Sequence, residues 1–176
     1  MEHTEVLSKQ NRLLSYLTQL PAKIIKYYDV DAVPEFVLHD LSHANCFNLS
    51  KAAYFVNNPD FDFLKGVAGY AQEEDAFELG SVWENPNDFI QHMKAAPFNK
   101  AVRNIADVSW QHAQKPEQEA IANLAQKLGI NNHCYCSFDL KHGNHGVLIY
   151  QKADGICDLE QYLNDGVCLL GFCPIY

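Results

Sequence analysis

The spacing of apolar residues changes once along this chain, and that change constrains the fold more than any other feature. From His133 onward Cys134, Cys136, Phe138 and Leu140 alternate with His133, Tyr135, Ser137 and Asp139. A period of two marks a half-buried strand. Gly143-Asn144 supplies a turn and 146–150 a second apolar run, so 133–152 reads as a β-hairpin. Asp154-Gly155 marks another turn. A short helix is expected at 159–163, and a last strand at 167–172, ending before Pro174.

Upstream the period is mostly 3.6. Thr4 caps an expected helix over 5–19, with Leu7, Leu14 and Leu17 on one face. Pro21 suits the first turn of a second helix through Ile24 and Tyr28. Residues 29–34 read as a turn or linker. A helix is expected over 36–56, with the stripe Leu38, Leu41, Asn45, Leu49, Ala52 and Val56, stopped by Asn57-Asn58-Pro59. It is apolar on most sides, as a central buried helix is. Residues 61–70 fit no period, and Glu73, Glu74, Asp75 and Glu78 read as a solvated face. A helix beginning near Asn87 is broken by Pro97, and its face continues through Val102 and Ile105. Pro116 opens a further helix that Gly129 caps. Helices first and strands last give an α+β class, a single domain over 1–176. The helical N-terminal three quarters are expected to pack on a small antiparallel sheet formed mainly by the C-terminal hairpin.

With a formal net charge of −9 and thirteen scattered basic residues, no phosphate-reading surface is evident, and nucleic acid is not expected as a partner. No apolar run approaches the roughly 18 residues that span a bilayer. The first dozen residues are polar, without a secretory h-region. The expected setting is cytoplasmic, without a membrane partner and with the six cysteines reduced. No glycine-rich phosphate loop is present, because Gly66 and Gly69 have neither the spacing nor a following lysine. The expected partner is a small molecule or a protein.

The densest chemistry lies in His39-Asp40-Leu41-Ser42-His43-Ala44-Asn45-Cys46. If this segment is helical, His39, His43 and Cys46 fall on one stripe at i, i+4 and i+7. Histidine with cysteine suits Zn or Fe, and His142, His145, His92 or His112 could supply a fourth ligand. If the segment is instead a loop entering a helix, Cys46 sits near a helix N-terminus, which favours a thiolate. Cys46 would then be a nucleophile, His145 its general base and Asp158 the group orienting the base, with Asp154 as substitute. This Cys, His, Asp order, with cysteine on a central helix and histidine on a strand, resembles papain-like thiol hydrolases over two short segments. The resemblance implies acyl hydrolysis or transfer. The chain departs from it in lacking an upstream glutamine for the oxyanion hole: Gln19 is embedded in a helix, so Asn45 or backbone amides would have to serve.

Cys134 and Cys136 with His142 and His145 have the residue types of a Zn site. In an extended strand, however, Cys136 and His142 lie about 20 Å apart, and core packing explains the cysteines more simply. A non-catalytic ligand-binding or protein-interaction module is the third reading.

Overall fold

The computed structural model describes residues 2–153 and 160–174. Cys157 and the two expected orienting acids, Asp154 and Asp158, lie outside them. The class is α+β. Strands β1 (Leu49–Asn58), β2 (Phe63–Ala71), β3 (Ala106–Asp107), β4 (Cys134–Asp139) and β5 (His145–Lys152) form one sheet in the order β3-β2-β1-β5-β4. All four pairings are antiparallel. The expected C-terminal hairpin is β4 and β5, but it makes only one side of the sheet. The centre is β1.

β1 corrects the expected helix over 36–56. Helix α2 spans Val33–Ser42 and ends there, with His43 already extended (ψ 148°). A turn follows in which the amides of Cys46 and Asn48 both donate to the His43 carbonyl, and Asn48 takes a positive φ of 52°. The chain then enters β1. Ala52, Tyr54 and Val56 face one apolar cluster, and Ala53 and Phe55 face another. A strand buried on both faces is continuously apolar, and over a few residues that pattern matches a helix buried on all sides.

Helices cover both faces. On one lie α1 (Glu2–Lys26), α2, α3 (Pro86–Ala95) and α6 (Leu163–Val167), and on the other α4 (Pro97–Arg103) and α5 (Glu117–Lys127). α1 is one helix where a break at Pro21 was expected, because the buried positions Leu13, Leu20 and Ile24 carry one face through the proline. The last expected strand, 167–172, is helical instead: α6 runs directly into a 3-10 turn at Cys168–Phe172. Its apolar residues fill the α1–α2 side through Val167 and Leu170. No described helix is long and apolar enough to cross a membrane.

α4 lies directly on β2. A Cβ built on Gly66 would fall 1.8 Å from the Val102 carbonyl oxygen, and one on Gly69 would fall 2.6 Å from a Val102 methyl. Only glycine allows backbone to approach backbone this closely. α4 and the turn after it also satisfy β2: Gly69 N–H donates to Asn99 Oδ1 at 2.9 Å, and Gly66 N–H donates to the carbonyl of Ile105, two residues past the helix.

Candidate functional site

All ten residues of α2 are buried, including Glu35, His39, Asp40 and Ser42. Polar groups so placed need partners, and His39 and Asp40 have them. His39 Nδ1 lies 3.0 Å from Asp40 Oδ1, and Nε2 lies 3.1 Å from Asp75 Oδ1. Asp40 also accepts from Trp83 Nε1 at 2.6 Å, from the Gly80 amide at 3.3 Å and from the Tyr16 hydroxyl. Asp75 accepts from the Tyr70 hydroxyl at 2.9 Å and the Phe77 amide at 3.0 Å. Asp75 was expected on a solvated face. It is instead 11% exposed and joins the 71–83 segment to α2.

With a carboxylate on each ring nitrogen, His39 is an imidazolium. Burial works against that charge, but the hydrogen bonds to Asp40 and Asp75, with their negative charges, raise the pKa to about 9. Asp75 is shifted the other way. Burial opposes its ionisation, and the His39 hydrogen bond and charge overcome this and hold it below the usual carboxylate range. Tyr16 and Tyr70 are pushed up, first by burial and then by the carboxylates they touch.

The expected metal stripe takes a different form here. Two bonded carboxylates leave His39 no lone pair to give a metal. His43 lies just past the helix, its ring 5.7 Å from that of His39, and its Nδ1 accepts from the Asn45 amide. Cys46 is buried beyond the same helix end. Among the described residues no three His, Cys, Asp or Glu side chains form a group able to hold a metal ion.

The thiol constellation is not brought together either. His145 pairs with Asn57 at one end of β1, whereas Cys46 precedes Leu49 at the other. Eight residue steps of strand are about 26 Å. Cys46 also follows the C-terminus of α2, the negative end of the helix, rather than opening a helix. His145 has a different acid partner, Asp139 Oδ1 at 3.0 Å on the neighbouring strand, in an exposed pair. Of the other histidines, His92 lies on α3 against Phe77, His112 is 3.5 Å from Asp62, and His142 occupies the β4–β5 turn. Cys134 and Cys136 pack against the α1–α2 core.

A second site was not anticipated. α2, α3 and α4, with Asp31 before α2 and Asn104 after α4, line an open cleft of about 470 Å³. Glu35 lines it. Its side chain is 1% exposed, with Oε1 accepting from Arg103 Nη1. Oε2 is buried and has no hydrogen-bond partner among the described residues. Burial raises the Glu35 pKa against the opposing charge of Arg103. Asn99 donates from Nδ2 to the Met93 carbonyl at 3.0 Å and accepts from the Gly69 amide, and its side chain also lies against Glu35, where it helps hold the carboxylate ionised. Lys94 and Lys100 are exposed at the rim, and among the described residues neither forms an ion pair. Ala32, Ile90 and Met93 give the cleft an apolar side.

The signal for this cleft was one acid inside an otherwise apolar run, Val33-Pro34-Glu35-Phe36-Val37-Leu38. It was hidden because 29–34 read as a linker and the partner, Arg103, lies 68 residues away. No protein-family model, curated protein or solved structure matches this chain.

Proposed function

We propose that this protein is a non-catalytic ligand-binding module that takes a small polar molecule in the cleft between α2, α3 and α4. One observation carries the reading: the cleft wall holds a buried carboxylate with one oxygen unpartnered. Such a group costs about 1–3 kcal/mol, more when charged, and a ligand donor would recover that cost. The cleft volume lies within the range of small-molecule sites. Against a thiol mechanism stands the separation of Cys46 from His145. Against a metal at 39–46 stands the full engagement of His39. The His39 network supports binding indirectly by fastening the loop before α3 to α2.

The protein acts in this reading in the cytoplasm, on a small-molecule partner. Nucleic acid is disfavoured by the net charge of −9. The test is a screen of small polar compounds against isotope-labelled protein by amide NMR. Binders are expected to move the amides of Lys94, Asn99, Lys100 and Arg103. A library that leaves these amides still, or whose binders map elsewhere, contradicts the reading.

A further inference from the structure

We infer that the cleft is built for a small zwitterion, an α-amino acid with an aliphatic side chain. This rests on the binding reading above and names its ligand class. Three cations, Lys94, Lys100 and Arg103, line the cleft together with two carboxylates, Glu35 and Asp31, and Lys94 and Lys100 have no ion pair among the described residues. They call for an anionic group. Arg103 keeps this capacity after bonding Glu35, because a guanidinium has five N–H donors and this one is 44% exposed. A simple anion does not suit the site, because it would lie beside the buried Glu35 carboxylate and leave Oε2 without a donor. A simple cation satisfies Oε2 but leaves Lys94 and Lys100 without an anion. A molecule carrying both an ammonium and a carboxylate answers both halves, the ammonium donating to Glu35 and the carboxylate accepting from Lys100 and Arg103. Ile90 and Met93, both buried, offer an aliphatic side chain an apolar surface. The charge-assisted bonds are the strong part of such a contact.

The experiment is an amide NMR titration of the full chain with three probes: L-leucine, N-acetyl-L-leucine, which lacks the ammonium, and L-leucinamide, which lacks the carboxylate. L-leucine is expected to shift the amides of Lys94, Asn99, Lys100 and Arg103 saturably at millimolar concentration. Each analogue is expected to bind at least about tenfold more weakly. Glu35→Gln should weaken L-leucine by a similar factor. If that variant does not fold, Lys100→Glu at the exposed rim makes the same test, and unchanged affinity for L-leucine in it overturns the inference. An analogue that binds in the cleft as tightly as L-leucine overturns the zwitterion class and leaves the binding site standing. The same holds if the three probes fail while another library compound moves these amides. Failure of the probes and of the library together removes both.

Discussion

His39 sits between two carboxylates, and this makes stability depend on pH from both sides. Its folded pKa of about 9 lies above its ordinary value of 6.5. Its contribution is therefore complete below pH 6.5 and is lost as the pH rises through about 9. Asp75 is lowered from 3.8, so its contribution is present above that value and is lost as the pH falls below it. The urea unfolding midpoint should be highest between about pH 4 and about pH 6.5 and should decline toward alkaline pH. A profile that stays flat through about pH 9 contradicts the imidazolium assignment. His39→Ala should cost about 3–5 kcal/mol in urea denaturation, because it leaves carboxylates facing each other without their cation. A loss below about 1 kcal/mol would mean the network carries little.

α4 depends on two glycines of β2. Gly66→Ala puts a methyl group into the Val102 carbonyl, and neither strand nor helix backbone can yield cheaply. We expect a loss of more than about 3 kcal/mol, read by calorimetry. Gly171→Ala is the control. Its Cβ would meet a Leu140 methyl at 2.9 Å, the end of a flexible side chain, so the expected loss is within about 1 kcal/mol. Equal losses would contradict the seating of α4. Elements with local punctuation were legible in the sequence. Pro97 separates α3 from α4, Pro116 and Gly129 bracket α5 with Gly129 at φ 64°, and strict alternation marks β4. β1 was not legible. The run Ala52-Ala53-Tyr54-Phe55-Val56 has no polar side, so its period is invisible, and the turn before it depends on Asn48 rather than on glycine or proline. Misplacing β1 also put a helix at or around Cys46: the metal stripe needed Cys46 inside it and the thiol reading needed Cys46 at its start, whereas a strand follows.

Among the buried polar side chains of the described residues, two groups carry charge. One is the His39 network, where each ring nitrogen and both carboxylates are bonded. The other is the Glu35–Arg103 pair, where one oxygen is not. Neither could be assembled from the sequence, because Asp75, Tyr16, Trp83 and Arg103 reach α2 only through tertiary packing. The contrast between them is the central claim: the first holds the fold together and the second is kept for a ligand. The most direct test is the stability of the double variant Glu35→Met/Arg103→Met, measured by urea denaturation of the unliganded protein. Arg103 is 44% exposed, so solvent screens the pair, and replacing the buried Glu35 carboxylate and its partner with apolar groups removes a desolvation cost. The account predicts unchanged or increased stability. A loss of several kcal/mol would make the pair a structural fastening and would contradict its assignment to a binding site.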